Sequence, residues 1–173
     1  MPPIIARPLP DGALLHSYQL SGAYVDCLTL DVAQEVTLGQ FVEAFYTSPM
    51  FRPERVILGL LLGMRATDAD VAALALGDSA RFSAWHVEAR EEAQLLLCDF
   101  QRRTRSWLMV AAVSAGPGHG ATTRLYFGSA VTVVEAGKAR RWAARAAFWL
   151  LLGFHKGHAR LLLWGTARRL GVR

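Results

Sequence analysis

The sequence predicts one α+β domain in which a curved antiparallel sheet grips a long C-terminal helix. Strand-like segments with short turns follow one another between residues 82 and 134, which is typical of antiparallel pairing. Signals for short helices stand between the first strand-like segment and this group. Everything after Gly137 is rich in Ala, Leu, Arg and Trp and has no proline, which favours a helix.

The composition is that of a globular domain with a basic end. The chain has 173 residues, of which 53% are apolar and 19% are charged. The net charge is +5, and residues 136–173 carry nine Lys and Arg and no Asp or Glu. Such a segment can attract anionic lipid, nucleic acid or an acidic partner, or it can form a solvated helix face.

The cellular compartment is predicted from three features of the sequence: its N-terminus, its apolar runs and its cysteines. The N-terminus has no basic stretch followed by an apolar stretch, so it does not resemble a signal peptide. The longest apolar runs, Val56–Met64 and Ala146–Phe154, have nine residues each, whereas a bilayer span needs about 20. Cys27 and Cys98 match no metal-binding or redox spacing and lie in apolar stretches. We therefore expect a cytoplasmic protein with free thiols.

The first third of the chain predicts a lead-in, a strand and a helix. Prolines in residues 1–14 indicate a loose lead-in at the start of a single domain that spans residues 1–173. Residues 15–32 favour a strand with a bend at Ser21-Gly22. Thr37-Leu38-Gly39-Gln40 has the form of a capping box, and Ser48-Pro49 ends the helix that it opens.

Two further short helices are predicted before the meander. Pro53 suits the first position of a helix that runs to about Met64. Thr67 has the form of an N-cap for a third helix that stops at Gly77, although Val71–Leu76 would also serve as a strand.

The remaining segments predict the meander and the last helix. Residues 82–90 alternate in polarity, and strands follow at 94–100, 105–114 and 122–134, the last pair joined by a glycine-rich loop. In the C-terminal helix a stripe of small and apolar residues that includes Leu161 and Gly165 lies opposite a basic stripe. The basic stripe consists of Lys138, Arg141, Arg145, Lys156 and Arg160, with Trp142 and Trp149 at its border. Gly153 and Gly157 leave open whether the helix is continuous.

This order of elements resembles the START-like (SRPBCC, helix-grip) superfamily. Short segments are also similar to a bacterial domain-of-unknown-function family that groups near these folds. The segments are Tyr24-Val25-Asp26-Cys27, Phe45-Tyr46-Thr47-Ser48-Pro49, Leu95-Leu96-Leu97-Cys98-Asp99 with Arg102, Arg105-Ser106-Trp107-Leu108, Leu125-Tyr126-Phe127-Gly128-Ser129 and Phe154-His155. The resemblance implies a cavity between the sheet and the last helix, and it supplies no catalytic residues. Gly153 stands where that family has a proline before Phe-His.

The first functional hypothesis is binding of an apolar small molecule or lipid in this cavity. The expected lining residues are Trp107, Phe127, Val131, Ala147, Leu150 and Phe154. Asp99 and His155 are the possible polar groups of the cavity, although Asp99 is more simply explained by a structural pair with a nearby arginine.

Two alternatives stay open. One is a membrane-peripheral or partner-binding module that uses the basic last helix. The other is a cofactor-free cyclase-like or dehydratase-like enzyme. We expect no metal site, because His155 and His158 have no acidic or cysteine companion in their segment. No cofactor fingerprint and no nucleic-acid-binding module occurs, so neither a cofactor nor nucleic acid is an expected partner.

Overall fold

The sheet of this domain is antiparallel and open. The computed structural model describes residues 2–51, 66–113, 121–132 and 157–171. Its strands are β1 (Ile5–Ala6), β2 (Tyr24–Val32), β3 (Arg81–Phe82), β4 (Trp85–Arg90), β5 (Gln94–Asp99), β6 (Thr104–Val113) and β7 (Thr122–Val131). The described helices are α1 (His16–Leu20), α2 (Leu38–Tyr46), α3 (Asp68–Leu76) and α4 (residues 157–169). The predicted α+β class with an antiparallel sheet is confirmed.

The seven strands of the described residues lie in the order β1-β2-β7-β6-β5-β4-β3. Strands β3 to β7 form the predicted meander, except that the single strand predicted for residues 82–90 is divided into β3 and β4. Every neighbouring pair is antiparallel. The chain leaves the sheet after β2 to form α2 and α3, and its last strand returns to pair with β2. The first long strand and the last described strand are therefore neighbours in the sheet.

The two faces of the sheet have separate cores. The inner face carries a large apolar cluster that joins α2, α3 and α4 to leucines of β2, β5, β6 and β7. The outer face carries a smaller cluster in which Trp107 and Tyr126 meet residues of the N-terminal segment. Because side chains alternate along a strand, neighbouring residues such as Leu96 and Leu97 belong to different clusters.

Local capping explains where the inner helices begin. The Thr37 hydroxyl accepts from the Gln40 amide at 3.2 Å, and the Gln40 side chain accepts from the Thr37 amide at 2.9 Å. Thr67 and Asp70 form a second capping box, and Gly77 ends that helix with a φ of 88°. Residues 71–76 are therefore helical, and the predicted capping box of α2 is confirmed. The helix predicted from Pro53 to Met64 lies outside the described residues.

The strand predicted for residues 15–32 is wrong in its first part. His16–Leu20 form α1, Gly22 turns the chain with a φ of 80°, and β2 begins at Tyr24. The helix is short and no side chain caps it. Its position depends on packing, because Leu15 and Tyr18 contact the outer cluster.

Residues 1–14 were expected to be loose, yet much of this segment contacts the sheet. Ile5 and Ala6 pair with Thr29 and Leu28 as an edge strand. Ala13 is only 4% exposed. The Gln94 side chain accepts from the Leu14 amide and donates to the Gly12 carbonyl, both at 3.1 Å. Regular structure in this proline-rich segment is limited to the two residues of β1, but the prolines do not prevent the segment from packing against the sheet.

The described part of the last helix packs on the inner core. Ala159, Leu162, Leu163 and Ala167 are buried in the inner cluster. Gly165 is also buried. It packs closely against Met50, since a Cβ at Gly165 would lie 2.9 Å from Met50 Cγ. Leu161 was predicted on the same face as Gly165, but it is 52% exposed. The chain before residue 157, where the long helix was predicted to begin, lies outside the described residues.

Candidate functional site

Polar side chains cross the inner face at one end of the sheet. Asp26 of β2 is the register partner of Ser129 of β7, and Ser129 is the partner of Ser106 of β6. Each takes an inward position next to an inward Leu or Phe of its own strand, which is Leu28 in β2, Leu108 in β6 and Phe127 in β7. Tyr46, from the last turn of α2, reaches the same end. We call these four residues the polar row.

Hydrogen bonds connect the members of the polar row. The Asp26 carboxylate accepts from the Ser129 hydroxyl at 2.6 Å and from the Ser129 amide at 3.1 Å. The hydroxyls of Tyr46 and Ser106 lie 3.4 Å apart, a distance at which either can donate. Ser129, Ser106 and Tyr46 are 1%, 7% and 1% exposed, respectively, so these hydroxyls are withdrawn from bulk water.

Aromatic rings hold Tyr46 in this position. Its ring lies 5.1 Å from that of Phe45, 4.9 Å from that of Phe51 and 4.9 Å from that of Phe82. Phe45 in turn lies 4.8 Å from Phe127 of β7. The arrangement is an apolar wall with a few hydroxyls and one carboxylate, which suits an apolar molecule with a single polar end.

The expected cavity residues do not come together as one wall. Phe127 faces the inner cluster, whereas Trp107 faces the outer one, where its indole Nε1 donates to Gln94 at 3.0 Å. Val131 is partly exposed at the end of β7. The other expected residues, Ala147, Leu150, Phe154 and His155, lie outside the described residues.

Asp99 fixes a turn. Its carboxylate accepts from the amides of Arg103 at 2.7 Å and Thr104 at 3.0 Å. Arg102, which lies between Asp99 and Arg103 in sequence, has a φ of 58°, a left-handed conformation that this tight turn requires. A structural role was expected through an arginine side chain, but these bonds come from backbone amides. The guanidinium of Arg105 instead binds Glu88, at 3.1 Å.

The outer face carries a charged cluster that attaches α1 to the sheet. The Tyr18 hydroxyl donates to Glu88, and the Arg105 guanidinium lies 4.5 Å from the centroid of the Tyr18 ring. Burial raises the pKa of Glu88, but the hydrogen bond from Tyr18 and the charge of Arg105 outweigh it and leave the pKa below its ordinary value. Burial and the bond to Glu88 raise the pKa of Tyr18. This cluster keeps Glu88 ionised and helps to fix the N-terminal segment.

A separate open groove of about 380 Å³ lies between α2 and the end of α4. Polar side chains that include Glu35, Glu43 and Arg169 line much of it. It contains no member of the polar row, and its polar lining suits an apolar molecule less well.

Comparisons with known proteins leave the interpretation to the structure. No family model matches the chain, and no curated protein or solved structure is significantly similar to it. Across the described ranges, no three His, Cys, Asp or Glu side chains are grouped as metal ligands would be. No described helix combines the length and the apolar character needed to cross a membrane.

The sequence does contain a signal for the polar row. In β7, Leu125 and Phe127 are followed at the next inward position by Ser129, and in β2 Asp26 precedes Leu28 in the same way. These two residues interrupt the inward apolar pattern of their strands. Sequence reasoning did not select these residues, because their alignment across strands depends on the register.

Proposed function

We propose that the chain is a START-like helix-grip domain that binds an apolar small molecule or lipid between the inner face of its sheet and its C-terminal segment. The topology supports this. The first long strand lies beside the last one, two described helices follow that first strand, and α4 shares the inner core.

The polar row carries the proposal. A core that served stability alone would not need polar side chains at these positions, because burying a hydroxyl requires a compensating hydrogen bond. Here Asp26, Ser129, Ser106 and Tyr46 lie at one end of a surface of leucines and phenylalanines. In our proposal, the hydroxyls orient the polar end of the ligand and the apolar side chains contact its body.

Native mass spectrometry of the purified protein and titration with a neutral apolar fluorophore carrying an amine test this function. A co-purified hydrophobic molecule and saturable fluorophore binding are expected. Tyr46→Phe removes one hydroxyl and weakens binding by about three- to tenfold, because one hydrogen bond contributes about 0.5–1.5 kcal/mol. Ser106→Val acts in the same direction.

Tyr126→Phe is the matched control, because Tyr126 lies in the outer cluster and is 8% exposed. It should bind the fluorophore like the wild type. Absence of saturable binding by the wild type would contradict the proposal. So would unchanged affinity in both Tyr46→Phe and Ser106→Val, provided that circular dichroism shows both to be folded.

A further inference from the structure

One side of α4 exposes apolar and basic side chains together. Leu161 is 52% exposed, Arg160 and Arg168 are exposed, and Trp164 is partly exposed. At the α-helical rotation these four fall within about 100° of the helix circumference. We call them the Leu161 stripe.

The Leu161 stripe is not needed to hold α4 on the domain. The opposite side of the helix carries Ala159, Leu162, Leu163 and Ala167, which are buried in the inner cluster. A lone exposed leucine would be ordinary, but this one lies beside a tryptophan and two arginines.

The side chains of the stripe suit the boundary between lipid and water. The Arg168 guanidinium lies 4.5 Å from the centroid of the Trp164 ring. Tryptophan and arginine both pair an apolar body with a polar end, so they can contact acyl chains and headgroups at once. Arg160 Nη1 donates to the Ile4 carbonyl at 3.5 Å, so this end of the stripe lies beside the edge strand β1.

The distribution of charge along the chain indicates which kind of partner binds the Leu161 stripe. Residues 136–173 carry nine Lys and Arg and no acid, whereas residues 1–135 carry fourteen Asp and Glu against ten Lys and Arg. We infer that the Leu161 stripe docks the domain on an anionic lipid surface. The basic segment is attracted to the headgroups, and the acidic remainder of the chain is repelled by them. A second copy is disfavoured, because a symmetric contact would place arginines against arginines.

This surface contact goes beyond ligand binding and does not depend on it. The polar row lies in the interior, whereas the stripe is exposed. A domain that binds no fluorophore could still dock on vesicles, and the reverse also holds. The two experiments therefore fail separately.

Co-sedimentation with vesicles tests the docking surface. The full chain should bind vesicles of mixed phosphatidylglycerol and phosphatidylcholine at low salt, and should not bind pure phosphatidylcholine. Binding should decrease as salt shortens the screening length to about 3 Å at 1 M. Arg160→Gln should weaken binding about fivefold, the contribution of one cation near anionic headgroups. Leu161→Glu should weaken it at least about tenfold, because it removes apolar contact and adds a repelled charge.

Leu76→Glu and Leu20→Glu are the matched controls. These leucines are 76% and 87% exposed on α3 and α1, so the same substitution is made on other surfaces. Both controls should lose less binding than Leu161→Glu, because their added charge lies away from the stripe. No binding of the wild type to anionic vesicles at low salt overturns the inference. Equal losses in the controls and Leu161→Glu, or a dimer in sedimentation equilibrium that Leu161→Glu dissociates, also overturn it.

Discussion

Gly128→Ala tests whether the N-terminal segment packs closely on the outer face. A Cβ at this position would lie 2.8 Å from Leu15 Cδ1, 2.8 Å from Trp107 Cε3 and 2.9 Å from the Asp26 carbonyl oxygen. The leucine methyl can move, but the carbonyl belongs to the paired strand β2, and Trp107 is fully buried. The substitution should lower the free energy of unfolding by about 1–3 kcal/mol, the usual range for overpacking.

Alanine substitutions at two other glycines serve as comparisons for this loss of unfolding free energy, measured by urea denaturation. At Gly157 a Cβ meets nothing within 4 Å, so Gly157→Ala should be neutral or stabilise the helix by up to about 1 kcal/mol. At Gly165 a Cβ would lie 2.9 Å from Met50 Cγ and 3.3 Å from Met50 Cβ and Ser48 Cβ, so only one contact is shorter than 3.0 Å, whereas Gly128 has three. Gly165→Ala should therefore be less destabilising than Gly128→Ala.

A double-mutant cycle locates the cause of the effect at Gly128. Adding Leu15→Ala to Gly128→Ala should lower stability by less than the sum of the single changes, because the shortened side chain no longer meets the new Cβ. A Gly128→Ala variant that unfolds at the wild-type urea midpoint would refute the reasoning. It would mean that Leu15 and Trp107 do not close over this glycine.

Two further predictions concern titration and thiol reactivity. The hydrogen bond from Arg124 lowers the pKa of Asp31 in the folded protein. The ionised carboxylate therefore stabilises the fold at any pH above its unfolded-state pKa of about 4. This contribution is lost as the pH falls through the lower pKa of the folded state. In urea titrations the wild type should be more stable than Asp31→Asn by less than about 1 kcal/mol, because the pair is partly exposed. This difference in the free energy of unfolding should decrease on acidification. A difference that increases on acidification would contradict the prediction. Burial raises the pKa of Cys27 to about 12 and that of Cys98 to about 11, so neither thiol should react with a dithiobis-nitrobenzoate reagent at mildly alkaline pH until the protein is unfolded. Rapid reaction of the native protein would show that a thiol is accessible.

Local patterns determined the parts of the fold that depend on neighbours in sequence. The capping residues Thr37 and Thr67 predicted where α2 and α3 begin, because a cap and its helix amides lie within a few residues of each other. Alternation and short turns predicted the meander for the same reason. The segment His16–Leu20 was mispredicted as strand, because its helix has no cap and contacts a distant face of the sheet.

The candidate site was decided by register, which only the tertiary structure supplies. Trp107 pairs with Gly128 and not with Phe127, so the two aromatic residues that were expected to share one cavity wall face opposite sides of the sheet. Side chains alternate with a period of two, and a shift of one residue in pairing exchanges the faces. The same pairing aligns Asp26 with Ser129, although 103 residues separate them in sequence. The sequence by itself determined that β2, β6 and β7 each carry a polar residue among apolar ones. The hydrogen bonds between strands that are distant in sequence decided which of these polar residues lie side by side.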